Sequence, residues 1–206
     1  MTWQLSAFVV IMVLVSACRH QPPVVVIQPY TGIDQTTCDT VQKVIEEVYQ
    51  FNVSVLPTRD LPEKAFTNVK SPRYRASILL KDLKEHLPAS ADHILGLTTK
   101  DISITKLDAS GNVKKPEYKY EDWGVFGLGS RPGPSCVVSL FRLKSDDQGK
   151  FYERLKKISI HEIGHNLGLK HCTSPGCVMQ DAAETIRTID AVNLELCPEC
   201  RRQIDG

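Results

Sequence analysis

The apolar positions change period along the chain, and each change marks an element. In "TTCDTVQKVIEEVYQ" they fall at Val41, Val44, Ile45 and Val48, a helical spacing, with Thr37 or Asp39 as candidate caps. In "FNVSVLP" they alternate at Phe51, Val53 and Val55, which predicts a strand. "RYRASILLKDLKEHL" returns to the helical period, with Ile78, Leu79, Leu83 and Leu87 on one stripe. "DHILGLTTKDISI" is apolar enough for one or two buried strands, and "KLDASGNVKKPEYKYED" is polar and reads as a loop or hairpin. "VFGLGS" is short and punctuated by glycine, and "CVVSLFRL" predicts a further strand. A long helix follows, from about Asp147 to Leu167. On it Ile158, His161, His165 and Gly168 share one face, and Ile160, Ile163 and Leu167 another. The order helix, strand, helix, strands, long helix predicts an α/β fold: a mixed, mostly parallel sheet packed on helices, with a small helical part at the C-terminus.

The N-terminus follows a different logic. "LSAFVVIMVLVSAC", Leu5 to Cys18, is apolar and uncharged but shorter than the roughly 20 residues of a membrane span. It ends in the small residues Ser16 and Ala17, as a secretory cleavage site does. "LVSAC" resembles the lipobox of bacterial lipoproteins, although "MTWQ" lacks the usual Lys or Arg. That resemblance implies a signal peptide over 1–17, a lipid on Cys18, and an exported protein anchored in the bacterial cell envelope. A plain signal peptide or a short uncleaved anchor are the other readings. The following Pro22, Pro23 and Pro29 predict a stiff tether over 18–35, with the compact domain over 36–206.

Length and charge narrow the classes. The chain has 206 residues, enough for one domain with a core, and a net charge of +1 gives no reason to expect a nucleic-acid partner. A monomer is expected.

The chemistry concentrates in "HEIGHNLGLKHC", residues 161–172. His161 and His165 are four apart, so a helix presents both rings on one side. Gly168 ends the helix, and the turn brings round His171 as a third metal ligand. Three protein ligands leave an open position, the arrangement of catalytic zinc rather than structural zinc. Glu162 lies beside that row and suits a general base acting on a zinc-activated water. Downstream, Cys172, Cys177, Cys197 and Cys200 form two pairs, compatible either with a structural zinc site or with two disulfides.

The segment His161–Cys200 resembles the archaemetzincin signature HExxHxxGxxHCx4CxMx17CxxC at every fixed position. Archaemetzincins are metzincin zinc metallopeptidases, so the resemblance implies a metzincin-like fold and hydrolysis of a peptide or protein substrate. It implies two zinc ions per chain. His161, His165 and His171 would hold the catalytic one, with Glu162 as base, and the four cysteines the structural one. It implies Met179 in the Met-turn beneath the imidazoles, and "VFGLGS" as the edge strand along the cleft. In some metzincins a tyrosine just after the Met-turn methionine contacts zinc; here Gln180 and Asp181 stand there. A non-catalytic zinc protein that binds a peptide, and a zinc hydrolase of another amide, are the rival readings. Cys38 and Cys136 fall outside the signature, either as a disulfide or as buried thiols. His20, His86 and His93 have no ligand partner at a useful spacing. Tyr118, Tyr120 and Trp123 form an aromatic cluster better suited to packing than to a substrate pocket.

Overall fold

The computed structural model describes residues 21–181 and 185–205. The proposed signal segment and Cys18 lie outside the described residues. Among the described residues, no helix is long and apolar enough to cross a membrane.

The fold begins earlier than the prolines suggest. "VVVIQP" forms β1 (Val24–Pro29), an inner strand. It is paired in parallel with β2 (Asn52–Val55) on one side and β5 (His93–Thr98) on the other. The tether expected through residue 35 is therefore corrected from Val24 onward. Pro23 and Pro29 only bracket the strand, where their missing N–H groups cost the ladder nothing. The cap of α1 (Gln35–Tyr49) also lies upstream of the candidates: Asp34 accepts from the Thr37 amide at 2.7 Å.

The main sheet has the order β2-β1-β5-β9-β8, with β9 at Ser135–Ser139 and β8 at Gly127–Gly129. The first four strands are parallel, and β8 closes one edge antiparallel to β9. Parallel strands covered on both faces read as continuous apolar runs, which explains "VVVI" and "CVVS". The pleat sorts them. Val25, Ile27, Leu95, Leu97, Cys136 and Val138 join the core with α1 and the long helix α4 (Gln148–Asn166). Val26, Ile94 and Val137 face the other way, onto Leu79 and Leu83 of α2 (Ala76–Glu85).

A second sheet of order β3-β4-β6-β7 was not legible in the pattern. Its strands are β3 (Phe66–Thr67), β4 (Arg73–Arg75), β6 (Ile102–Ile104) and β7 (Trp123–Val125). The helix expected from Arg73 starts at Ala76 instead, because Arg73–Arg75 pairs as β4 with β3 and β6. Arg73 reaches Asp101 at 2.9 Å and Asp122 at 3.1 Å. "DHILGLTTKDISI" divides into β5 and β6, one in each sheet. The polar segment carries a Leu107–Val113 bridge and the one-turn helix α3 (Glu117–Tyr120). Two short helices, α5 (Ile186–Ala191) and α6 (Pro198–Asp205), make the C-terminal part.

Candidate active site and cysteine cluster

The site is built on α4. Asp147 caps its start, accepting from the Lys150 amide at 3.2 Å. At the other end Gly168 takes φ +95°, a conformation glycine adopts without a Cβ penalty. The Leu169 amide bonds back to Gly164 O at 3.0 Å, which closes the turn. His171 thereby returns towards the helix. Its ring centroid stands 5.4 Å from that of His161 and 5.0 Å from that of His165, and the two helical rings are 4.6 Å apart.

One nitrogen from each of these histidines lies within 4.8 Å of the others. His161 Nδ1 is 2.8 Å from Val178 O, and His165 Nδ1 is 2.8 Å from Leu169 O. A carbonyl oxygen can only accept, so each Nδ1 carries the proton and each Nε2 presents a lone pair. That tautomer, held by a second partner, is the one a metal-binding imidazole needs. A tetrahedral ion with bonds of about 2.0–2.1 Å fits such donors after small ring rotations. Burial and the neighbouring His165 push His161 down to about 3, so it stays neutral. His165 is lowered too, chiefly by burial. His171 is more open, with Nδ1 3.5 Å from Asp181 Oδ2.

Every residue from Ile158 to Asn166 is buried, because α4 is covered by the core on one side and by β8 on the other. The strand comes very close. A Cβ on Gly127 would lie 2.5 Å from Glu162 Oε1, and one on Gly129 would lie 2.7 Å from Glu162 O. The two glycines therefore let β8 lie directly on the Glu162 carboxylate. Burial alone pushes Glu162 up to about 8, and a cation beside it would draw it back down.

Beneath the helix, Met179 packs against Gly164. A Cβ on Gly164 would stand 2.5 Å from Met179 Sδ. Tyr49 of α1 also packs there and donates to Ile160 O at 2.8 Å. Tyr49 is a supporting residue that sequence reasoning missed. Its only signal was an aromatic at the end of an amphipathic helix. The site opens on a cavity of ≈ 340 Å³ lined by Ile104, Val125, Phe126 and Leu128 opposite the histidines and Glu162. Asp181 lines it as well, where a Met-turn tyrosine was absent.

The four cysteines also converge. Cys172 and Cys197 sulfurs are 3.7 Å apart, Cys177 and Cys200 3.9 Å, and all four lie within 4.8 Å of one another. Four thiolates bound at about 2.3 Å to one tetrahedral zinc stand about 3.8 Å apart, so the spacing fits that ion. All four are free thiols rather than disulfides. Backbone N–H groups at Ser174 and Cys197 donate to Cys172 and Cys177 sulfurs, each at 3.4 Å. The Cys200 amide leads the hydrogen bonds that pull Cys197 down to about 6. Cys38 and Cys136 are separate buried thiols, not a disulfide. His86 bonds Asp82 O and His93 sits at the start of β5; neither joins the cluster.

The model of peptidase family M54 matches residues 24–206. The chain belongs to peptidase family M54. The archaemetzincin of Archaeoglobus fulgidus is 30% identical over 178 residues, covering 86% of this chain and 96% of that one. The archaemetzincin of Halobacterium salinarum is 29% identical, covering 78% and 87%. Among solved structures, the Methanopyrus kandleri archaemetzincin superimposes with a TM-score of 0.72 at 28% identity, over 92% of this chain and 99% of that one. The Archaeoglobus fulgidus structure, complexed with malonate, gives 0.70 at 29% identity, over 88% and 99%. This M54 chain has the archaemetzincin fold and is a zinc-dependent peptidase.

Proposed function

We propose that His161, His165 and His171 hold the catalytic zinc and that Glu162 is the general base for peptide-bond hydrolysis. The observation that carries this is the pair of imidazoles fixed by Val178 O and Leu169 O, with His171 and the Glu162 carboxylate at the same cavity wall. Zinc bound there supplies a Lewis acid for the scissile carbonyl and lowers the pKa of water to about 7. Glu162 takes one proton from the attacking water, and as the C–N bond breaks it returns that proton to the leaving amine. The free edge of β8 lines up the substrate backbone by strand addition, and the apolar cavity wall excludes bulk water.

Cys172, Cys177, Cys197 and Cys200 hold a second, structural zinc in this reading, giving two ions per chain. The near-tetrahedral sulfur spacing supports it. Metal analysis of the full chain, purified without reducing agent, should give two zincs. A count of one with four unreactive cysteines contradicts the second site.

The N-terminal sequence extends the proposal to a lipid-anchored, exported enzyme of the cell envelope, supported by the apolar run that ends in "VSAC". Lipid labelling lost in Cys18→Ser supports the anchor, and labelling unchanged in that variant opposes it.

Cleavage itself is tested on a mixed peptide pool with products mapped by mass spectrometry. Products that vanish with chelation and return with zinc support the reading. A folded, zinc-loaded protein that binds peptides and leaves the pool uncut favours the binding-only alternative.

A further inference from the structure

The chain that lines the cleft in β8 comes from the second sheet, through a bend at Phe126. Upstream of Gly127 the same chain passes through Phe126 into β7, the edge strand of the second sheet. Phe126 lines the catalytic cavity and also a second cavity of ≈ 370 Å³, walled by Trp123, Gly124 and Asp122 and by the cations Lys70, Arg73, Lys119 and Arg142. Two of these cations are already neutralised. Arg142 grips Asp101 through two bonds of 2.6 and 2.8 Å, and Arg73 bridges Asp101 and Asp122.

The lysines are not. Lys106 Nζ lies 4.1 Å from the Trp123 ring centroid, and Lys119 Nζ lies 5.5 Å from the same centroid. Lys70 Nζ donates to the carbonyl of Lys119 at 2.8 Å. Among the described residues, no carboxylate forms an ion pair with any of these three ammonium groups. Lys70 and Lys119 share the cavity wall, Lys106 lies beside it on the same indole as Lys119, and an anion in the cavity relieves the repulsion among these like charges.

Resting on the peptidase reading above, we infer that this basic cavity is a subsite for an acidic side chain of the peptide substrate. Its position fixes where the acid falls. Gly127 lies against the Glu162 carboxylate, and Gly124 is three residues upstream in the chain. The chain bends at Phe126 between the two strands, so the offset is at most about 10 Å, the span of three residues at about 3.3 Å each. A peptide that follows this chain therefore reaches the cavity with an Asp or Glu about three residues to one side of the scissile bond. Trp123 lines the cavity beside that residue, and Lys70 and Lys119 offer its carboxylate their ammonium groups.

Binding and cleavage test this separately. Full-length zinc-loaded Glu162→Gln is titrated with fluorescein-labelled peptides that differ only in Asp against Asn at that position, read by anisotropy. The Asp peptide should bind about tenfold tighter, and the advantage should vanish in the added triple variant Lys70→Gln/Lys106→Gln/Lys119→Gln. It should also collapse when salt rises to about 0.5 M, because exposed charges are screened. Equal binding of the two peptides, or an advantage that survives the triple variant and disappears instead with Arg131→Gln, overturns the subsite. Arg131 lines the catalytic cavity itself and serves as the control for a general attraction. With the wild-type enzyme, products from the Asp peptide should be cut about three bonds from the acid. Lysine-dependent binding without any cleavage would leave the subsite standing and remove the peptidase reading.

Discussion

At the scale of residues, the site depends on close approaches that no side chain could survive. Gly127 is the sharpest case, because a methyl there meets Glu162 Oε1 at 2.5 Å. Gly127→Ala should lower kcat at least about tenfold by displacing the Glu162 carboxylate proposed as the base, with zinc content unchanged. Unaltered kcat would show that the carboxylate has room to move. Gly168 and the histidine spacing were legible, since helix geometry and the left-handed turn leave few alternatives. Gly127 and Gly129 read only as punctuation. Their role depends on which strand lies over α4, and local pattern does not carry that information. The same holds for Tyr49, whose hydroxyl reaches α4 across a long sequence separation.

Between elements, one loop serves both clusters. His171 and Cys172 are adjacent, the Cys172 amide donates to Met179 O at 2.8 Å, and Val178 O receives the proton of His161 Nδ1. The Val178 amide donates in turn to Glu195 O, two residues before Cys197. A change in the cysteine cluster therefore moves the carbonyl that orients a catalytic-site imidazole. Cys200→Ser should weaken zinc affinity at the histidine cluster about 10- to 100-fold, the usual cost of disturbing an outer partner, as well as lowering stability. Unchanged affinity in the folded variant would show the adjacency to be incidental. Elements with a strong period, α1, α4 and the parallel strands, were visible in sequence. The second sheet was not, because its strands run only two or three residues and β4 is formed by arginines held in place by Asp101 and Asp122.

Across the whole molecule, three layers hold the long helix under the cleft, and the C-terminal part is pinned to that helix by charge. Arg154 of α4 makes bonds of 2.7 and 2.8 Å to Asp190 of α5. The Arg154 hydrogen bonds, helped by Lys150, hold Asp190 down at about 2. A depressed folded pKa stabilises the fold above the unfolded value near 3.9 and is lost as pH falls through about 2. Solvent screens this pair at the exposed Asp190, so Asp190→Asn should cost about 1 kcal/mol at pH 7, and the gap to wild type should narrow between about pH 4 and pH 2. A gap that stays constant with pH would show that the pair carries little of this stability. The early start of the fold belongs to this scale too. "PPVVVIQP" looks like a tether until β2 and β5 are seen on either side of it, and only the assembled sheet makes Val25 and Ile27 core.

The central claim is that the histidine cluster and Glu162 perform hydrolysis together. Its most direct test is the rate of cleavage of a peptide identified from the pool, comparing wild type with Glu162→Gln at equal, measured zinc content. Loss of a proton-transferring group predicts a fall in kcat of about 10²- to 10⁴-fold, with the same cleavage site in any residual product. Equal kcat in the two proteins at equal zinc would contradict the account.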